Sequence, residues 1–184
     1  MSQKIVLLNV RLAFPVIWAP KPFANDPSSK PAYSASLLIA DKELQIYKVD
    51  ELLEEVAFET WDKKSAMIMK ELRAKDRLAL RSGDDKEQYD GFAGNHYISA
   101  RSATKPLIID RDKRPLEESD GRPYGGCYVN ASVEFWVQDN KYGKRINATL
   151  RGLQFIADGD AFAGGAPATP EEFEDLGVDN SALA

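Results

Sequence analysis

The stretch 122–162, RPYGGCYVNASVEFWVQDNKYGKRINATLRGLQFIADGDAF, constrains the fold more than any other part of the chain. Apolar and polar residues alternate on both sides of Asp139-Asn140-Lys141-Tyr142-Gly143. A period of two is the signature of a β-strand, so the segment reads as two long strands joined by a short basic turn. Cys127, Val129, Ala131, Val133, Phe135 and Val137 fall on one face, and Tyr128, Asn130, Ser132, Glu134, Trp136 and Gln138 on the other. The first face is an ordinary core stripe, whereas the second mixes large aromatics with hydrogen-bonding groups. On the returning strand Ile146, Ala148 and Leu150 are apolar, but after Gly152 the apolar positions are Leu153 and Phe155, so the parity slips by one. A bulge at Arg151-Gly152 accounts for the slip, and bent strands of this kind form the corners of small closed barrels.

The rest of the chain supplies elements for such a barrel. Lys4 to Phe14 predicts a first strand ending at Pro15, which lacks a donor, and Trp18 to Pro31, with four prolines among turn formers, predicts a loop. Tyr33 to Ala40 predicts a second strand, with Asp41 placed to cap a helix. Val49, Leu52, Leu53, Val56 and Ala57 recur at helical spacing between Glu43 and Trp61, the predicted cover for one end of the barrel, and Ser65 to Arg73 predicts a shorter helix. Arg77 to Leu80 reads as a short strand, and His96 to Ser102 as a strand that Lys105 to Asp110 extends. The segment 111–123 is a long polar loop. The fold class is therefore mainly β with one or two helices, an elaborated small barrel of five strands. Residues 1–162 form its domain, and 163–184 are expected to be a flexible, disordered acidic C-terminal tail.

The net charge of −5 conceals an asymmetry. All 24 Lys and Arg residues lie at or before Arg151, and the 7 acids that follow leave 24 cations against 22 acids up to Ile156. A nearly neutral body with an all-acidic end is a two-part electrostatic layout. One cysteine, on the apolar stripe, forms no internal disulfide and suits a reducing cytoplasm, and no segment has the length or hydropathy of a membrane span or signal peptide.

Two chemistries compete for the wet face. A groove for single-stranded nucleic acid needs aromatic planes for bases and cations for phosphates. Tyr97, Tyr128, Trp136 and Tyr142 supply planes, with Asn130 beside them, and Arg101, Lys105, Lys141, Lys144, Arg145 and Arg151 supply charge. The same alternation would also suit a second layer of core. A metal-dependent nuclease site would draw on Asp84, Asp85, Asp110, Asp112, Asp158, Asp160 and His96, but these acids sit in turns among Lys, Arg and Gly and read as solvated turn residues. No zinc ligand set, nucleophile elbow or phosphate-binding glycine loop occurs, so no metal, cofactor or catalytic residue is expected. The tail cluster Glu171, Glu172, Phe173, Glu174 and Asp175 can mimic a nucleic acid and compete for a cationic groove, while its apolar members offer partner proteins a grip.

The run GGCYVNASVEFWVQDNKYGKRINATLRGLQFIADGDAF, with KIVLLNVRLAFP and YSASLLIA before it, resembles the Enterobacter phage single-stranded DNA-binding protein family over essentially Lys4 to Phe162. The resemblance implies an OB-fold protein of a tailed bacteriophage or prophage. Such a protein coats single-stranded DNA in the host cytoplasm during phage replication and recombination, with little sequence preference. It also implies an acidic tail that contacts replication or recombination proteins and restrains DNA binding. Two features depart from the pattern. Some related tails end in an aromatic residue where this one ends in Leu183-Ala184, and the main helix comes after the second strand rather than between the third and fourth. A single-strand annealing recombinase, a metal-dependent nuclease and a structural virion protein are the alternatives, and a homodimer is among the assemblies left open.

Overall fold

The computed structural model describes residues 2–162 and 170–178. Five strands close into a barrel: β1 (Ser2–Lys21), β2 (Ala32–Ala40), β4 (Asn95–Ser102), β6 (Tyr128–Asn140) and β7 (Gly143–Ala157). They run in the circular order β1-β2-β4-β7-β6, with β6 returning to β1. All neighbours are antiparallel except β4 and β7, whose parallel pairing at Ala100↔Ala148 and Arg101↔Thr149 shuts the barrel. This is the closed barrel that the hairpin predicted and the OB-like arrangement that the resemblance implied. Two short strands extend it, β3 (Leu80–Ser82) on β4 and β5 (Leu107–Ile109) on β7.

The hairpin follows the alternation closely. Cys127, Val129, Ala131, Val133 and Phe135 are fully buried inside the barrel. Each such apolar side chain of Val or Phe size contributes about 1.5–3 kcal/mol by leaving water. Asn140 pairs with Gly143, leaving Lys141 and Tyr142 as a two-residue turn. Ser132 faces Gly152 but Val133 faces Leu150, so Arg151 is the extra residue of a bulge, where the parity slip placed it. Gly152 also lets β5 approach, since a Cβ there would lie 3.2 Å from the Leu107 carbonyl oxygen.

Helix α1 (Gln45–Trp61) buries Ile46, Val49, Leu53, Val56 and Ala57 in the barrel core and covers its end. The Gln45 side chain donates to Leu8 O and accepts from Leu8 N, satisfying both backbone groups of a residue inside the register shift between Leu7 and Val10 on β1. A break at Asp62, with φ of 50°, separates α1 from α2 (Ser65–Ala74). The helices therefore do follow the second strand, and the barrel is elaborated relative to the commoner arrangement.

Four expectations need correction. β1 does not stop at Pro15 but continues to Lys21, because Pro15 falls in a register shift between Ala13 and Val16 where no ladder donor is required. The loop accordingly shrinks to residues 22–31. Asp41 caps no helix; its carboxylate lies 2.6 Å from His96 Nδ1. Lys105 to Asp110 does not prolong β4 but contains the separate β5, parallel to β7. Finally, Tyr97 is only 4% exposed: with Ala13, Leu38 and Phe92 it forms a small second core on the outside of β1, β2 and β4, against which Phe162 packs. In the acidic end, residues 163–169 and 179–184 lie outside the described residues, so the expected disordered tail is only partly within view. The described part has one 3-10 turn, Pro170–Glu172, and Glu171, Glu172, Phe173, Glu174 and Asp175 are all exposed.

Candidate nucleic-acid interface

β4 and β7 touch only near Ala100 and Ala148; upstream of that point they splay apart. The segment 77–82 fills the gap, bridging β7 through Leu78↔Ile146 and Ile146 N→Arg77 O, and β4 through Ser99 N→Ala79 O. Leu78 and Leu80 turn into the core, and Arg77 and Arg81 remain at the surface. The outcome is an outer cleft of about 770 Å³ running from the β1–β2 loop across β4 and β7 to β6.

Five cations line this cleft, Lys30, Arg77, Arg81, Arg101 and Arg145, and no Asp or Glu does so among the described residues. Burial and the neighbouring charges of Arg81 and Arg77 push the Arg145 guanidinium below its ordinary value. Guanidinium groups crowded in this way repel one another until an anion arrives. Arg101 lies 3.7 Å over the Phe23 ring and donates to Lys30 O, which fixes both the cation and the ring at the cleft mouth. Trp136, 38% exposed, stands on the opposite wall with its indole N–H donating to Thr149 Oγ1 at 3.0 Å.

The other residues picked from the sequence lie elsewhere. Lys141, Tyr142 and Lys144 sit at the β6–β7 turn, just beyond the cleft, where Lys144 pairs with Asp139 at 3.4 Å and Lys141 Nζ lies 5.1 Å from the Tyr142 ring centre. Lys105 covers the Trp18 ring at 5.5 Å, outside the cleft. Arg151 projects from the bulge, 3.9 Å from Glu134. Tyr128 and Asn130 occupy the far end of β6: Arg11 lies over the Tyr128 ring, and Asn130 accepts from Asn9 N and donates to Gln154. Tyr97 is buried, and its ring presents no face for a ligand.

Sequence reasoning missed Phe23, Lys30, Arg77 and Arg81. Arg77 to Leu80 reads as a short strand, which the structure shifts to Leu80–Ser82, and its alternation of Arg77, Ala79 and Arg81 with Leu78 and Leu80 could have revealed the two arginines; Phe23 and Lys30 lie in an irregular loop with no period to betray them. Four of the acids weighed for a metal site already accept hydrogen bonds: Asp84 from Gly94 N, Asp110 from Arg122, Asp112 from Arg114 and Asp158 from the Tyr124 hydroxyl. No group of three or more such residues is placed to hold a metal ion among the described residues.

The family model for the Enterobacter phage Enc34 ssDNA-binding protein matches residues 3–183. The chain belongs to that family. Putative protein p50 of Acyrthosiphon pisum secondary endosymbiont phage 1 is 46% identical over 179 residues, covering 96% of this chain and 95% of the relative. The single-stranded DNA-binding protein of bacteriophage Enc34, solved in complex with ssDNA, is similar in structure at 30% identity and a TM-score of 0.71, over 86% of this chain and 88% of that one. The single-stranded DNA-binding protein gp2.5 of bacteriophage T7 shares the fold, with a TM-score of 0.56 at 14% identity over 97% of this chain and 99% of that one.

Proposed function

We propose that this Enc34-family chain binds single-stranded DNA along the outer cleft, coating and protecting it with little sequence preference during phage DNA replication and recombination in the cytoplasm of the bacterial host. The observation that carries this reading is the cleft lining itself: five cations without an acid, flanked by Trp136 and the Arg101-backed Phe23. Phosphates relieve the repulsion among Arg77, Arg81 and Arg145, and unpaired bases stack on the exposed rings, each stack contributing about 1–3 kcal/mol. Duplex bases are already stacked inside their helix, so ring faces of this kind favour a single strand. Ring stacking and phosphate contact read little sequence, which suits a coating protein better than a site-specific one. Lys105, Lys141 and Lys144 lie outside the cleft, where their charge adds to the long-range field that draws in the strand, while Arg151 faces Glu134 at 3.9 Å. The protein acts by binding, without catalysis.

The acidic end complements the cleft. Glu171, Glu172, Glu174 and Asp175, tethered to the barrel, compete with DNA for its cations, and Phe173 gives replication or recombination proteins an apolar contact. Deleting residues 163–184 is expected to raise affinity for single strands, most at low salt. Equal affinity with and without the segment would leave only the partner role.

The decisive experiment is a titration of the full-length chain into labelled oligothymidine at two salt concentrations. Affinity should fall as salt rises, with a log–log slope of about −0.7 for each phosphate neutralised. Absence of binding, or binding indifferent to salt, would refute the reading. Adding Mg²⁺ or Mn²⁺ should leave the oligonucleotide intact.

A further inference from the structure

We propose that a bound strand does not end at the cleft: it crosses the β6–β7 turn and continues along α2, where Lys64 and Lys75 hold its backbone phosphates. This rests on the cleft being the single-strand site and extends it to a second, separate hollow of about 610 Å³ between α2 and the turn. Ile68, Glu71, Leu72 and Lys75 succeed one another at helical spacing along the side of α2 that faces this hollow, and Lys64 stands at the start of the helix. Lys64 and Lys75 are eleven residues apart, about 16 Å along a helix axis, so the two cations mark a track rather than a point.

The hollow holds Lys64, Lys75, Arg77, Lys141 and Lys144 against a single acid, Glu71, which already accepts from Lys75 at 2.7 Å. Arg77 lines both the hollow and the cleft and so joins them. Its position depends on the turn: Nη1 lies 3.5 Å from Tyr142 O, and a Cβ on Gly143 would come within 2.8 Å of that nitrogen. Gly143, with φ of 106°, thus provides both the turn geometry and the room for Arg77. Tyr142, 72% exposed, lines the hollow beside Arg77; with Lys141 Nζ 5.1 Å from its ring centre on one side, its other face is placed to stack a base of a strand passing from the cleft. Together these make one continuous cationic path with an exposed aromatic beside it. An acidic peptide would find charge here too, but the exposed ring and the junction with the cleft favour the strand.

The test compares the full-length chain with the Lys64→Gln/Lys75→Gln double variant on oligothymidines of about 4 to 16 nucleotides, the range that OB folds occupy. Short members that fill only the cleft should bind both proteins alike. Past a threshold length the variant should lose about 1.4 from the salt slope, which is about 25-fold in affinity at 0.1 M relative to 1 M salt. Identical behaviour at every length overturns the proposal, as does an equal loss at every length, which would mean a diffuse field effect. A loss that disappears in a full-length chain carrying Glu171→Gln, Glu172→Gln, Glu174→Gln and Asp175→Asn would show that the hollow receives the acidic end instead. If the native chain bound no oligothymidine of any length, the reading of the cleft would fail first and this one with it.

Discussion

Tyr128 and Trp136 stand on the same outward face of β6, one near each end, and the sequence pattern treats them alike. At the Tyr128 end, Arg11 reaches over the ring and donates to the carbonyls of Gly126 and Asp160, while Asn130 secures the backbone of Asn9, a residue with φ of 51°. At the Trp136 end the ring stays 38% exposed on the cleft wall, and among the described residues no acid lines the cleft beside Arg81, Arg101 and Arg145. One end spends its polar groups on holding a strained β1 and the start of the acidic end. The other leaves them unspent. Periodicity tells which side of a strand faces outward; what covers that side is decided by segments distant in sequence, and the cover separates a structural aromatic from an available one.

The largest expected effect tests the covered class. Tyr97→Ala should destabilise the fold by about 3–5 kcal/mol, the range for removing a buried aromatic, because it empties the second core beside Phe92 and Leu38. Tyr97→Phe should unfold in denaturant like the native chain and bind oligothymidine equally well. If instead Tyr97→Ala kept its stability and lost affinity, the ring would be a base platform and the division between covered and open aromatics would collapse.

Next in size is the direct contrast along β6. Trp136→Ala should weaken oligothymidine binding by about 1–3 kcal/mol, or about 5- to 150-fold, whereas Tyr128→Ala should change it by less than about 0.5 kcal/mol. Fluorescence titration of both variants at one salt concentration decides the matter. Comparable losses from the two would place Tyr128 on the DNA path and extend the interface along the whole strand.

That contrast also marks how far the chain could be read from its residues. The hairpin, its tight turn and the bulge at Arg151 were legible because alternation and its single slip are local properties of 122–162. The helix after the second strand was legible from its 3.6-residue stripe. β1 was cut short because Pro15 looks like a terminator until the register shift around it is known. Closure of the barrel by β4 and β7 depends on two residue pairs nearly fifty positions apart, to which no local period points. The same long-range closure creates the cleft, so Arg101, Trp136 and Arg145 could be nominated one by one, while the wedge that unites them with Arg77 and Arg81 could not.

A smaller effect follows from the crowding of cations. Arg145→Met should reduce the salt slope of binding by about 0.7 while raising the Tm of the free protein, because it relieves the repulsion from Arg81 and Arg77 in a partly desolvated site. Arg151→Met, on the bulge beside Glu134, should leave the slope unchanged. A fall in Tm for Arg145→Met would mean that the cleft is not frustrated in the free state and that Arg145 has a structural partner.

The smallest effect concerns an acid remote from the cleft, in a separate depression with Arg122 and Asp158. The hydrogen bond from Arg122, and then that from the Arg111 backbone N–H, hold the Asp110 carboxyl below the usual carboxylate range. A group whose folded value is depressed contributes stability that is fully present above its unfolded value, about 3.9, and is lost as pH falls through the folded value. Asp110→Asn should therefore flatten the acid limb of stability below about pH 4 and leave the neutral region parallel to the native curve, as measured by denaturant unfolding across pH. Binding should respond differently. Since neither a carboxylate nor a histidine lines the cleft among the described residues, its intrinsic affinity for oligothymidine should be flat between about pH 5 and 8. A pronounced slope in that window, persisting when the acids at 171–175 are neutralised, would mean that a group outside the cleft reaches the strand, and the cleft would then be too small an account of the interface.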